Sequence, residues 1–462
     1  MLFDKWVDDN RNEIIEKTQG VLRIDSVGQP ASGDNQPFGT GCAEALDYVL
    51  NLGREMGCEV KNVDGYAGHI EYGEGDDYIA VVAHLDVVPV GPGWSHPPFG
   101  AEIHDGKIYA RGAIDDKGPG MAGLFALKAV KESGLPLSKK VRVIFGVDEE
   151  SNWRCMEHYF QKEPLPAAGF TPDAEFPLIY AEKGILCFNA IRPRKNSDSA
   201  TVVVRELTGG SRVNMVPDIC QVTLEVRQGE ANTVAEQLRQ SAESHNTQAE
   251  VEVNGNEIAL RVNGVSAHGA MPHVGVNAIV KAGELLAELD TADRDLWNWL
   301  AEIDTEGERV GVKLHCDVTG PLTCNLGVAK VGDEQAVFTF NLRFPVKETN
   351  ESMFDHLRTK LGPEGFSVEQ SDDISMKPLY VPKESDVVQK LLGVYREATG
   401  DETEPITIGG GTYARAIPNA VAFGALFPGQ EELAHQKDEN WAVEDLIKCT
   451  KIYAQAIYEL AK

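Results

Sequence analysis

The sequence predicts an α/β protein in which both ends of the chain build a helix-covered, mostly parallel sheet, and a two-lobed α+β domain is inserted between them. The runs at 78–83 and 141–147 are short and nearly continuously apolar, which is typical of strands buried on both faces. Residues 118–133, between the two runs, favour a helix that begins near Pro119. From about residue 186 to residue 368 many segments alternate polar and apolar residues, which indicates strands with one exposed face.

Apolar residues at helical spacing occur at both ends of the chain, beginning with Phe3, Trp6 and Val7. Residues 443–460 place apolar side chains at i, i+3 and i+4 spacing, which favours a long helix with one buried face. Residues 387–395 follow the same rule. We therefore expect residues 1–184 and 381–462 to form one α/β domain and residues 185–380 to form the inserted domain.

Two stretches of the inserted domain resemble each other. Residues 201–241 and 319–361 each contain a turn-rich segment, a strand and a helix. An Asn and an Arg recur in both stretches, Asn214 with Asn325 and Arg227 with Arg343. The pattern indicates an internal duplication that would give the domain its two lobes. Any two strand–helix units can look alike, so a chance likeness is the alternative.

The composition limits the partners and the location. Of 462 residues, 43 are Lys or Arg and 72 are Asp or Glu, which gives a net charge of −29. A surface this acidic repels nucleic acid and anionic lipid, so we predict neither as a partner. No run approaches ~18 consecutive apolar residues, and the acidic start has no apolar core of a signal peptide. The eight cysteines are scattered without a C-x-x-C pair. We expect a cytoplasmic protein with no membrane span.

A histidine and an aspartate follow the first buried strand, in the sequence AHLDVVP. In extended chain, residues two apart share a face, so Asp86 can reach the ring of His84. That arrangement is typical of a carboxylate that fixes the tautomer of a metal-binding imidazole. It also suits a solvated strand end.

Further candidate ligands occur at other predicted strand ends and turns. Asp115 lies in a Gly-rich turn before the helix at 118–133, and Glu150 follows the second buried run. Asp173 and His435 lie in segments that are unremarkable on their own. Because ligands collect at the carboxyl ends of strands in open α/β sheets, we hypothesise that these four residues converge on His84. Two imidazoles and three carboxylates suit two Zn²⁺-like ions that share one carboxylate.

Taken together, the motifs identify a family. AHLDVVPVG, ARGAIDDKGP, GVDEE, SAHGAMP and AHQKDE resemble the motifs of the co-catalytic dinuclear-zinc peptidases, a superfamily that includes aminoacylase, carnosinase and succinyl-diaminopimelate desuccinylase. The likeness covers essentially the whole chain, including TIGGGTYAR at 407–415, and is closest to bacterial dipeptidases of the peptidase V type.

The resemblance implies two divalent metal ions, with Zn²⁺ as the first choice and Mn²⁺ or Co²⁺ as alternatives. It assigns His84 and Asp173 to one ion, Glu150 and His435 to the other, Asp115 to both, Asp86 to the orientation of His84, and Glu149 to general acid/base catalysis with a metal-bridged hydroxide. It also implies a cis peptide bond between Asp115 and Asp116.

The same resemblance makes the inserted domain a lid. His268 would stabilise the oxyanion, and Asn214 and Arg343 would hold the carboxylate of the substrate. Gly410 and Gly411 could bring backbone N–H groups to that carboxylate. A lid with two similar lobes imitates a dimer, so we predict a monomer whose His268 acts within its own chain.

The implied activity is metal-dependent hydrolysis of unblocked dipeptides, with a small peptide as the substrate. An amidohydrolase of the same superfamily that acts on N-acyl amino acids or on N-succinyl-diaminopimelate is the first alternative. A non-catalytic binding protein of the same fold is the second.

Overall fold

A nine-stranded sheet organises the part of the chain that contains both termini. The computed structural model describes residues 1–195, 200–373 and 375–462. Met1–Ala181 and Leu379–Lys462 form one unit, called here the terminal unit. Glu182–Pro378 forms a second, called the inserted unit.

The elements follow in chain order. The first segment contains α1 (Asp4–Asp9), α2 (Arg11–Leu22), α3 (Thr40–Glu55), β1 (Glu59–Val63), β2 (Ala67–Tyr72), β3 (Tyr78–His84), β4 (Glu102–His104), β5 (Lys107–Tyr109), α4 (Lys117–Ser133), β6 (Lys140–Gly146), α5 (Arg154–Lys162), β7 (Ala168–Thr171), β8 (Ala174–Glu175) and β9 (Ile179–Glu182). The inserted unit contains β10 (Gly184–Pro193), β11 (Val202–Gly209), β12 (Ile219–Val226), α6 (Ala231–Ser244), β13 (Gln248–Asn254), β14 (Glu257–Asn263), α7 (Ala278–Ala287), α8 (Arg294–Ala301), β15 (His315–Cys316), β16 (Gly320–Pro321), β17 (Thr323–Val331), β18 (Gln335–Phe344), α9 (Asn350–Leu361) and β19 (Ser367–Gln370). The last segment contains β20 (Leu379–Tyr380), α10 (Asp386–Thr399), β21 (Ile406–Ile408), β22 (Ala420–Ala422), β23 (Ala425–Leu426), β24 (Asn440–Ala442) and α11 (Val443–Ala461).

The sheet of the terminal unit has the order β1-β2-β6-β3-β7-β22-β9-β20, with β21 beside β9. The apolar runs at 78–83 and 141–147 form β3 and β6, which confirms the predicted buried strands, and every residue of β3 is buried. β3 pairs in parallel with β6 and β7, and β7 with β22, whereas β1 and β2 pair antiparallel. The α/β class is therefore confirmed, with the parallel pairs at the centre of a mixed sheet.

The predicted helices cover this sheet. α4 and α11 coincide with the helical patterns at 118–133 and 443–460, and the two helices pack against each other. Nearly every residue of α4 from Lys117 to Val130 is buried, because the helix lies between the sheet and its neighbours. Among the described residues, no helix is long and apolar enough to cross a bilayer.

The inserted unit has an eight-stranded antiparallel sheet, in the order β13-β14-β12-β11-β17-β18-β10-β19. Burial alternates along β12 and β14, as the sequence pattern predicts for strands with one exposed face. The buried side chains of the sheet pack with apolar residues of α6, α7, α8 and α9 in one continuous core.

The strand order of this sheet is symmetric about its centre. β11 and β17 pair at its centre, where Thr208 faces Lys330. β12 corresponds to β18, β14 to β10 and β13 to β19, and α6 follows β12 as α9 follows β18. The order favours an internal duplication.

One of the two predicted residue matches in this duplication is wrong. Arg227 directly follows β12 and Arg343 is near the end of β18, so their positions correspond. Asn325, however, lies within β17, whereas Asn214 lies in the connection between β11 and β12. The match failed because that connection is longer than the turn between β17 and β18, and a comparison of letters alone does not count strands.

Candidate metal centre

Three of the predicted ligands lie at the carboxyl ends of neighbouring parallel strands. His84 is the last residue of β3. Glu150 follows β6 and Asp173 follows β7, the two strands on either side of β3. Because parallel strands end at the same edge of a sheet, these three side chains come to one place.

The other two predicted ligands come from loops at the same edge. Asp115 precedes α4, and the peptide bond between Asp115 and Asp116 is cis, as the sequence resemblance implied. His435 precedes β24 and has a positive φ of 64°, which is uncommon for a residue other than glycine.

The side chains form two groups that share Asp115. In the first group, His84 Nε2 lies 2.9 Å from Asp115 Oδ1 and 3.8 Å from Asp173 Oδ2. In the second group, His435 Nε2 lies 3.0 Å from Asp115 Oδ2 and 3.0 Å from Glu150 Oε1. The ligand atoms of each group lie within 4.8 Å of one another. One oxygen of Asp115 therefore faces each group.

The hydrogen bonding of His84 fits a bound cation. Its Nδ1 lies 2.9 Å from the carbonyl oxygen of Asp86 and donates to it, because a carbonyl can only accept. In a neutral imidazole, Nε2 is then a lone-pair acceptor that faces the carboxylates of Asp115 and Asp173. This nitrogen is buried and makes no hydrogen bond. An imidazole nitrogen and carboxylate oxygens that converge in this way form the donor set that a divalent metal ion requires.

The electrostatics of the centre give the same indication. The hydrogen bonds from His435 to Asp115 and Glu150 raise the pKa of that imidazole to about 11. Burial lowers the pKa of His84, but the carboxylates of Asp115 and Asp173 outweigh it and hold the pKa well above its usual range. Burial, and then the charge of Asp115, raises the pKa of Asp173 well above the ordinary value. Without a cation, the groups must take up protons to limit the repulsion between carboxylates.

Asp86 contacts the centre in a way that the sequence did not predict. Its carbonyl oxygen accepts the hydrogen bond from His84, and its carboxylate Oδ1 is 3.6 Å from the same ring nitrogen. The carboxylate accepts the backbone N–H groups of Glu149 at 3.1 Å and Glu150 at 3.0 Å. One residue therefore orients both the imidazole and the turn that carries the two glutamates.

Glu149 occupies the turn beside the two ligand groups. Burial raises the pKa of its carboxyl group well above the ordinary range. The charge of His84 partly offsets this effect, and the carboxylates of Glu150 and Asp115 add to it. A carboxyl group beside a metal centre with a raised pKa is suited to act as a general acid or base.

A buried ion pair that the sequence analysis did not predict contacts the backbone of two candidate ligands. Arg111 Nη1 lies 2.7 Å from Glu439 Oε2, and both side chains are fully buried. The other oxygen of Glu439 accepts the backbone N–H groups of Ile114 at 3.0 Å and Asp115 at 3.2 Å. Arg111 also donates to the carbonyl oxygen of His435 at 3.4 Å. The pair thus joins the backbone of the shared carboxylate to the backbone of His435.

The signal for this pair was present in the sequence. Arg111 belongs to ARGAIDDKGP and Glu439 to AHQKDE, so each motif carries a charged residue that is not a predicted ligand. Asp116 is a similar case, because its buried carboxylate accepts the backbone N–H of His84 at 3.1 Å.

The predicted substrate residues of the inserted unit lie in two places. Asn214 and His268 are exposed and lie close together. The carbonyl oxygen of Asn214 accepts the N–H of Gly269 at 2.7 Å, and Met215 and His268 pair in an isolated antiparallel β-bridge. Arg343 lies in β18, is 6% exposed, and donates from Nε to Asn341 Oδ1 at 3.0 Å.

In the terminal unit, Gly410 and Gly411 follow β21. The guanidinium of Arg415 donates to the carbonyl oxygen of Gly410 at 2.5 Å. A Cβ atom at position 411 would lie 3.0 Å from Arg415 Cζ, so the absence of a side chain there permits the approach of the arginine.

Comparisons with known proteins identify the family of the chain and its fold. The family model described as Peptidase family M20/M25/M40 matches residues 80–459. The chain is 42% identical over 460 residues to "Putative dipeptidase YtjP" of Bacillus subtilis (strain 168), with 98% of both chains covered. It is 38% identical over 458 residues to "Putative dipeptidase SSP1012" of Staphylococcus saprophyticus, with 97% of both covered. The crystal structure of human carnosine dipeptidase 1 shares the fold, with a TM-score of 0.59, 15% identity, and coverage of 99% of this chain and 98% of that chain.

Proposed function

The chain belongs to peptidase family M20/M25/M40 and is a metallopeptidase, and we propose that it hydrolyses unblocked dipeptides with two divalent metal ions, Zn²⁺ being the first choice. The observation that carries the proposal is the shared carboxylate: Asp115 presents one oxygen to His84 and the other to His435. A carboxylate placed between two such groups is suited to hold two cations a few ångströms apart.

The residues of the centre divide the work. His84, Asp173, Glu150, His435 and Asp115 would hold the ions, which when bound polarise a carbonyl group and lower the pKa of a water molecule. Glu149 would take a proton from the attacking water and pass it to the amine that leaves. Its burial and its raised pKa support this assignment.

The remaining predicted residues would recognise the substrate. His268 would donate a hydrogen bond to the oxyanion, and loss of one such donor typically costs ~3–4 kcal/mol of transition-state stabilisation. Asn214 and Arg343, with backbone groups at Gly410 and Gly411, would hold the substrate carboxylate. The hydrogen bond that ties Asn214 to Gly269 supports a joint role for Asn214 and His268.

We also propose a cytoplasmic monomer. The two matching halves of the sheet in the inserted unit support the monomer, because a two-fold arrangement already exists within one chain. Gel filtration should give the mass of one chain, 50.4 kDa. A mass of two chains would contradict the assignment.

A substrate panel tests the activity. The metal-loaded enzyme should hydrolyse unblocked dipeptides, and kcat/KM should fall when the amino group is acylated. Preference for N-acyl amino acids or for N-succinyl-diaminopimelate would replace the dipeptidase with an amidohydrolase of the same superfamily. Failure to hydrolyse any member of the panel with two ions bound would favour a binding protein of the same fold.

A further inference from the structure

A second group of metal-ligating side chains lies in the terminal unit, outside the centre described above. His96, Glu102 and His104 each place one ligand atom within 4.8 Å of the others. None of the three has a part in the proposed function. We propose that they bind a further divalent transition-metal ion of the Zn²⁺ type.

The local fold brings the three side chains together. Glu102 and His104 are the two ends of β4, and residues two apart on a strand share a face. His104 Nε2 lies 2.9 Å from Glu102 Oε2. The ring of His96 lies 4.5 Å from that of His104 and 4.1 Å from that of Tyr109 on β5. The tyrosine therefore holds the first imidazole beside the second.

The ligand chemistry selects the class of ion. Two imidazoles and one carboxylate are a ligand set that zinc takes in proteins with one position left open to water. Imidazole also suits Cu²⁺ and Ni²⁺, whereas Ca²⁺ and Mg²⁺ prefer oxygen ligands. Lys107 faces His104 across the hairpin, and its charge opposes a cation. We therefore expect a metal ion to bind more weakly here than at the dinuclear centre around Asp115.

An ion at this place would act on the loop that carries His435. The backbone N–H groups of Ser95 and His96 donate to Asp438 Oδ1 at 2.7 and 3.3 Å. β5, the other strand of the hairpin, pairs with β24 directly after that loop. A metal ion that joins His96 to β4 would link the two contacts of the loop, so binding should raise the melting temperature.

Metal stoichiometry tests the proposal. After equilibrium dialysis against Zn²⁺, elemental analysis of the wild-type protein should find three ions per chain. The double variant Glu102→Gln/His104→Gln should retain two. His245→Gln is the matched control and should retain three, because the two ring nitrogens of His245 face different carboxylates, Glu288 at 2.9 Å and Glu284 at 3.7 Å, and so cannot serve one ion with them.

The outcomes separate this site from the proposed function. A wild-type protein that saturates at two ions, or a double variant that keeps the third, would overturn the proposal. The single variant His96→Gln gives the same test through a residue outside β4. Asp115→Asn should lose the ions of the shared centre and still bind one ion, so failure of the dinuclear centre and failure of this site give different counts.

Discussion

Two groups of imidazoles and carboxylates in the terminal unit differ in burial: a buried group, His84 with Asp115 and Asp173, and an exposed group, His96 with Glu102 and His104. The side chains of His84 and Asp115 are 1% and 13% exposed, whereas those of His104 and Glu102 are 46% and 49% exposed. Water can satisfy each polar atom of the exposed group, but Nε2 of His84 is buried without a hydrogen bond. Burial, more than residue type, therefore determines how strongly such a group requires a cation.

We expect the largest loss of metal and activity from a change at Asp115, the carboxylate that both ligand groups share. In Asp115→Asn, an amide presents one neutral oxygen and one donor, so it cannot serve both His84 and His435. We expect loss of both ions and a fall in kcat/KM of more than about a thousandfold, since metal ions supply several kcal/mol of transition-state stabilisation. Elemental analysis and dipeptide hydrolysis measure the two effects. Asp47→Asn, on an exposed position of α3, should change neither. If the Asp115 variant retained both ions, the shared carboxylate would not be required for metal binding.

The next effect separates catalysis from metal binding within the buried group. Glu149→Gln keeps the shape of the side chain and removes its ability to carry a proton. We expect kcat to fall about 10²–10⁴-fold with both ions still bound, which is the range for a lost general acid/base. Turnover at the wild-type rate would show that another group moves the proton.

A smaller effect tests whether the support of the buried group matters. Glu439→Gln keeps an acceptor for the N–H of Asp115 but leaves Arg111 without its counter-charge. We expect metal affinity to fall about 10–100-fold, as for other residues that orient ligands. Excess metal should then restore kcat, which it would not do if the variant were merely unstable.

A matched control for this change is available on the neighbouring helix. Glu444 of α11 is 80% exposed and pairs with Arg11 at 2.5 Å. Glu444→Gln should leave the metal dissociation constant unchanged. Equal weakening in both variants would mean that net charge, and not the buried pair, sets the affinity.

The smallest effect extends the comparison to His69, a buried histidine that belongs to neither candidate metal group. Burial, with the charge of Arg142, lowers the pKa of His69 from 6.5 to about 4. Below about pH 6.5, His69 binds a proton in the unfolded chain but not in the folded chain. The contribution of neutral His69 to the free energy of unfolding is therefore fully present above that pH and is lost as the pH decreases towards 4. Between about pH 6.5 and 5.5 this loss is about 1 kcal/mol of unfolding free energy. Denaturant melts of His69→Gln should lack that part of the slope, and an unchanged slope would contradict the assignment.

Much of the fold was accessible from the sequence, because apolar periodicity is a local property. β3, β6, α4 and α11 were predicted from it within a few residues. Strand pairing is not local, so the antiparallel edge of the first sheet and the symmetric order of the second were not predicted. The false match of Asn214 with Asn325 has the same cause.

The candidate site divides in a similar way. Asp173 was assigned by the family resemblance alone, because its own segment carries no signal. The hydrogen bond from His84 to the carbonyl oxygen of Asp86 could not be predicted, because every residue has a carbonyl and only the folded chain selects one. The pair of Arg111 and Glu439 joins positions 328 residues apart, and sequence spacing does not reveal such a contact.

Anomalous diffraction from crystals of the Zn²⁺-loaded protein is the most direct test of the shared carboxylate. We predict two zinc peaks at this centre, about 3.5–4 Å apart on either side of Asp115. One peak should lie against His84 and Asp173, and the other against Glu150 and His435. A single peak at this place, or two peaks that do not share Asp115, would rule out the dinuclear centre.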